Sequence, residues 1–274
     1  MKKIKIKYKV VPSKKSKGSY NVQCQVVFNS TNTKFFTHFF KESIDFSEEF
    51  VNSSAFEDIQ KLYADYLEKI VRFEDKRVGD EYKMSGLNNR LSFYDSFLTY
   101  EYNHKVEQEV LSVLKDQLTY NQYIQIEGLG QPIGISSSLD LPGTLSFIEK
   151  EFSLDLFSLI EQEQQKVVLA GILLGLYDYW FKRSGKNLLH GLENRRENKL
   201  TVGDWYVQDI EQALLQFLQD GLPNDEFEQE VDQHAFVYGR KQIAAYAEAF
   251  THQALVTTLA IFMRSRFPLE RIGL

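Results

Sequence analysis

Hydrophobic and polar residues alternate strictly through KKIKIKYKVV at the start of the chain. Ile4, Ile6, Tyr8 and Val10 form one set, and Lys3, Lys5, Lys7 and Lys9 the other. A period of two sends successive side chains to opposite faces, so the pattern predicts a strand with one buried face and one lysine face. The turn-forming run PSKKSKGS follows, and YNVQCQVVF then repeats the alternation with Tyr20, Val22, Cys24, Val26 and Phe28 inward. After NSTN, the stretch TKFFTHFF is aromatic at both parities, which predicts a third strand covered on both sides. Residues 2–41 read as an antiparallel three-stranded β-meander.

Beyond the meander the period lengthens to that of a helix. Ser54 and Glu57 have capping-box spacing ahead of Phe56, Ile59, Leu62, Tyr63, Tyr66, Leu67 and Ile70, an amphipathic pattern. A second long helix is predicted through Leu87, Leu91, Tyr94, Leu98, Tyr102, Val106, Val110 and Leu114. YIQI and IGIS, on either side of EGLGQP, predict a short β-hairpin. The pairs Ser146/Glu149 and Ser158/Glu161 repeat helix-start chemistry. One helix is predicted from Leu154 to Arg183, apolar nearly all round in its second half and hence buried. Thr201 and Asp204 suit the cap of a further helix with Ile210, Leu214, Phe217 and Leu218 inward, ended by Gly221 and Pro223. A long helix or a pair follows from Asn224 to Arg266. There, Ala244, Ala245, Ala247, Ala254 and Ala260 offer close approach to a groove at Gly171 and Gly175. The expected fold class is α+β: a basic β-meander over 1–50, two helices plus a short hairpin over 51–150, and a helical bundle over 151–274.

Charge changes the picture more than composition does. The chain of 274 residues has a formal net charge of −6. Residues 1–41 hold ten lysines and no acidic residue (+10), whereas the rest holds 22 basic and 38 acidic residues (−16). A basic block on an acidic body points to an anionic partner, or to attraction between the two parts. The single cysteine, Cys24, excludes an internal disulfide and a cysteine-rich zinc site. The longest apolar run, VVLAGILLGLY, has 11 residues where about 20 are needed to span a bilayer, and lysines interrupt the N-terminus where a signal peptide is apolar. A soluble cytoplasmic protein is expected, without membrane contact.

Candidate chemistry is sparse. No His-Glu-x-x-His, Walker A or Gly-x-Ser-x-Gly motif occurs. The glycines of EGLGQPIG follow a predicted strand but do not lead into a helix, as a phosphate loop requires. Glu230/His234 and Glu248/His252 each resemble half a metal site. They lie 18 residues apart, about 27 Å along one helix, so they share no ion unless that helix breaks. No metal and no cofactor is expected.

RSGKNLLHG, from Arg183 to Gly191, fits an Arg-x(4–6)-His pattern and resembles that of HEPN-type ribonucleases. The resemblance implies a helical domain whose dimer brings Arg/His pairs together for metal-independent RNA cleavage, His190 moving the proton and Arg183 stabilising phosphorane charge. Ser184-Gly185 departs from the family, which has continuous helix there. The competing reading is punctuation: Arg183 closes a helix C-terminus, Gly185 supplies a left-handed cap, and His190 is incidental. The basic sheet followed by a helix in residues 1–75 is also similar in topology to the arm-binding domains of tyrosine recombinases, without their Arg/His/Tyr set.

The lysine comb is the remaining candidate. Alternate strand residues stand about 6.8 Å apart, close to the spacing of successive phosphates along a nucleic-acid strand. Lys14, Lys15 and Lys17 extend the comb into the turn. An edge strand also carries lysines to block edge-to-edge aggregation. The sequence favours a non-enzymatic binding or assembly protein. Lys3, Lys5, Lys7, Lys9, Lys14, Lys15 and Lys17 would contact nucleic acid or an acidic protein surface, and the helices would supply core and a homo-oligomer surface. The alternatives are the ribonuclease built on Arg183 and His190, or a structural part of a phage or secretion-type assembly.

Overall fold

A computed structural model of the chain describes residues 3–14, 17–36, 46–121, 140–185, 200–220, 227 and 230–272. An N-terminal antiparallel sheet precedes a mostly helical body, the α+β architecture that the change of period predicts. The predicted hairpin around EGLGQP lies outside the described residues. The chain divides into two compact units. Among the described residues, the first comprises 3–96 and 269–272, and the second 97–185 and 200–268.

In the first unit, β1 (Lys5–Pro12), β2 (Ser19–Phe28) and β3 (Thr31–Phe36) lie in that order, antiparallel, and the two-residue β4 (Phe46–Ser47) pairs with the start of β2. The β2–β3 turn is Asn29-Ser30, with φ 49° and 63°. Positive φ at both central residues gives the turn a twist that matches the flanking strands. Val22, Cys24, Val26 and Phe28 are buried as the alternation predicts. In β3 one expectation is corrected. Phe35 is buried but Phe36 is exposed, so the strand over Thr31–Phe36 is covered on one face only, because the period of two outweighs the aromatic character of both residues; residues 37–40 of the predicted strand lie outside the described residues.

The inner face of the sheet packs on α2 (Ser54–Val78), where the rings of Tyr8 and Tyr63 lie 6.5 Å apart. The helix begins one residue earlier than the Ser54/Glu57 pattern implies. The side chain of Ser53 caps it by accepting from Phe56 N at 3.2 Å, while the short α1 (Glu48–Val51) precedes it. Phe56, Tyr63, Tyr66, Leu67, Ile70 and Val71 form its buried stripe.

The predicted second helix is two helices, α3 (Leu87–Tyr94) and α4 (Leu98–Gln117). All eight apolar positions named for it are buried, so the periodicity is real. Local polar bonds break it. In the first unit, Asp95 accepts from the Tyr66 hydroxyl at 2.7 Å; in the second, Leu98 N donates to Leu200 O at 3.0 Å.

The second unit contains α4, α5 (Asp140–Phe152), α6 (Leu156–Leu159), α7 (Gln162–Ser184), α8 (Val202–Val207), α9 (Ile210–Gln219), α10 (Glu230–Ala245) and α11 (His252–Arg266). The single helix predicted over 154–183 is likewise interrupted, because Glu161 and Gln164 form a capping box that starts α7 afresh. Ser146 lies inside α5 and Ser158 inside α6, whose cap is Asp155, so neither serine starts a helix as expected. Thr201 and Asp204 do form the expected capping box, but it heads only α8; Asp209 caps a separate helix, α9, on which Ile210, Leu214, Phe217 and Leu218 are buried, and Gly221 and Pro223 lie outside the described residues.

α7 is the centre of this unit, buried at every residue from 168 to 179. A Cβ at Gly171 would fall 2.8 Å from Leu141 Cδ2 and 2.9 Å from Val106 Cγ2. One at Gly239 would fall 3.0 Å from Ile172 Cγ2. Gly171 thus admits α4 and α5, not the C-terminal helices expected there, and α10 approaches α7 through its own Gly239. The expected alanine stripe is not a buried one: Ala260 is buried, but Ala244, Ala245 and Ala247 are exposed. No helix among the described residues is long and apolar enough to cross a membrane.

Candidate nucleic-acid interface

The register of the sheet fixes which side chains share its outer face. Lys5 stands opposite Val27, which stands opposite Asn32; Lys7 opposite Gln25 and Lys34; Lys9 opposite Gln23 and Phe36. Each row crosses all three strands and spans about 9.6 Å, and successive rows are about 6.8 Å apart. Lys5, Lys7, Lys9 and Lys34 are exposed, as is Lys3 just before β1. Lys14 and Lys17 are exposed in the β1–β2 turn, where Gly18 takes φ +83°; Lys15 lies outside the described residues. Among the described residues, no carboxylate pairs with Lys3, Lys5, Lys7, Lys9, Lys14, Lys17 or Lys34.

The face thus carries four ammonium groups beside the amides of Gln23 and Gln25 on β2, with Val27 and Asn32 completing the Lys5 row and one aromatic ring at its edge. Phe36 is 52% exposed. Ammonium groups at this spacing suit a chain of anions, and the amides donate and accept at short range. Among the described residues β1 and β3 are the edge strands, so their lysines also discourage pairing with foreign strands. Protection alone does not account for Phe36, since an exposed aromatic on an edge strand invites the pairing that lysines prevent. Sequence reasoning placed the β1 lysines correctly on an exposed face. It missed Lys34, Gln23, Gln25 and Phe36, which become visible only once the strands are paired in register.

Other candidates fare differently. Cys24 is buried on the inner face of β2, and burial pushes its thiol up to about 12, so it holds little of the thiolate that a nucleophile needs. Glu230 and His234 lie exposed on α10, while Glu248 sits in the turn after it and His252 opens α11. The helix does break between the pairs, yet no group of three potential metal ligands occurs among the described residues.

Arg183 lies in the last turn of α7, its guanidinium 3.6 Å from the centre of the Tyr179 ring. Gly185 follows as the C-cap in the left-handed conformation, φ 64° and ψ 19°. His190 and residues 186–199 lie outside the described residues. What is described of RSGKNLLHG matches helix termination: a cation at the negative end of the dipole and a glycine where positive φ is needed. Gly185→Val should therefore lower stability by about 1–3 kcal/mol, because a β-branched residue is strained at positive φ. Urea denaturation checks this, and an unchanged midpoint would remove the strain argument.

Compared with known protein families, with curated proteins and with solved structures, the chain matches none of them.

Proposed function

We propose that this is a non-enzymatic binding protein whose basic sheet face holds the phosphate backbone of nucleic acid. The observation that carries the proposal is the set of exposed lysines, Lys5, Lys7 and Lys9 on β1 and Lys34 on β3, with no carboxylate paired to them among the described residues. A row of cations on one face repels itself, and a polyanion relieves that repulsion while releasing its own counterions. An acidic protein surface would be drawn by the same charge, but it offers no fixed spacing to match a two-residue strand repeat.

The test is the salt dependence of binding, read by fluorescence anisotropy on labelled 15-mers, single-stranded and duplex. With four phosphates engaged, the log–log slope should be about −2.8 on single strands and about −3.6 on duplex. The variant carrying Lys5→Gln, Lys7→Gln, Lys9→Gln and Lys34→Gln should keep the far-UV spectrum of the parent and lose most of that slope. No binding of either probe in 50 mM salt, or equal binding by the variant, would exclude the proposal.

A further inference from the structure

The lysines alone do not choose between paired and unpaired nucleic acid; Phe36 does. Its ring is 52% exposed at the end of β3, in the same cross-strand row as Gln23 and Lys9 and two residues from Lys34. On the opposite parity of the same strand Phe35 is buried, so the strand already supplies an aromatic to the core. The exposed half of the Phe36 ring leaves apolar surface in water beside cations. The base of an extended, unpaired nucleotide fits it chemically, because every base has a π face and the neighbouring ammonium groups hold the phosphates on either side. A duplex cannot use the ring in this way, since its bases are already stacked on each other and its phosphates face outward.

We infer that the outer sheet face takes single-stranded nucleic acid, with one unpaired base stacked on Phe36 and the flanking phosphates held by Lys9 and Lys34. This rests on the phosphate-binding reading above. Gln23, between Lys9 and Phe36 in the row, is placed to hydrogen-bond the edge of that base. Stacking of this kind tolerates any base, so little sequence preference is expected.

The experiment compares single-stranded dT15 and a 15-bp duplex by anisotropy, using the full chain and three variants. Phe36→Thr removes the ring and retains β propensity, so the strand survives, which circular dichroism verifies. It should weaken dT15 binding by about fivefold to a hundredfold while leaving duplex binding and the salt slope nearly unchanged. Phe36→Trp should restore dT15 binding, and its emission should be quenched on adding the oligonucleotide. The four-lysine variant described above should lose both ligands. If Phe36→Thr binds dT15 as the parent does, or loses both ligands equally, the stacking inference fails while the phosphate reading stands. If the parent binds neither ligand, both fail.

Discussion

Arg90→Ala is expected to destabilise the first unit by about 3–5 kcal/mol, the cost of leaving one partner of a buried ion pair behind. Arg90 on α3 and Glu74 on α2 are both buried. The arginine Nε and Nη2 donate to the two carboxylate oxygens at 2.8 Å and 3.0 Å. Its remaining hydrogens collect the carbonyls of Ser85 at 2.8 Å and Lys83 at 3.1 Å, so one side chain organises the link between the helices. Glu74 also accepts from the Tyr82 hydroxyl at 2.7 Å. Burial, and then the Glu74 carboxylate, hold that phenol well above its ordinary range, which keeps it a donor at any physiological pH. Alanine at 90 leaves a buried carboxylate with the phenol as its main donor and two loop carbonyls without the guanidinium. The double replacement Glu74→Leu with Arg90→Met should recover much of the loss, because it removes the stranded charge as well as the pair. Urea denaturation followed by far-UV circular dichroism measures both. A cost below about 1 kcal/mol for Arg90→Ala would mean that water reaches the site and the pair is worth no more than an exposed one.

The second large effect belongs to the other unit. Asp178 is buried in the apolar stretch of α7, where it accepts from the Thr99 hydroxyl at 2.7 Å and from Leu200 N. Residues 200–201 are further tied to the start of α4 by Leu98 N donating to Leu200 O and by the Phe97–Thr201 bridge. One carboxylate thus joins the C-terminal half of α7, the N-terminus of α4 and the segment that enters α8. Asp178→Ala should cost about 3–5 kcal/mol, since hydrogen bonds to a charged acceptor are worth about 1.5–3 kcal/mol each and both donors would be stranded. Asp178→Asn should cost less, as its carbonyl still serves one donor. Both tryptophans, Trp180 and Trp205, lie in this unit, so their fluorescence follows its unfolding directly. If Asp178→Ala unfolds at the same urea concentration as the parent, the carboxylate is not the tie described.

These two residues show where sequence reading stops. In the run LGLYDYWF, Asp178 stands alone among apolar neighbours, which marks it as unusual but names no partner. Its donors come from positions 99 and 200, and only folding brings them together. Glu74 and Arg90 carry no sign at all, because charged residues on helices are usually solvated. Their burial depends on how the connection at 79–86 turns back.

Periodicity by itself determined much of the rest. It located the sheet, the lysine face and the buried stripes of α2 and α9, because a side chain's parity on a strand or phase on a helix is set by local geometry alone. It overran helix ends at 95–97 and at 160–161, since an apolar phase can continue across a break that capping bonds impose. The candidate site divides in the same way. Lys3, Lys5, Lys7 and Lys9 share a face by strand parity, which is local and needs no partner. Lys34, Gln23 and Phe36 join them only through the pairing of β2 with both neighbours, because register is a contact between residues distant along the chain.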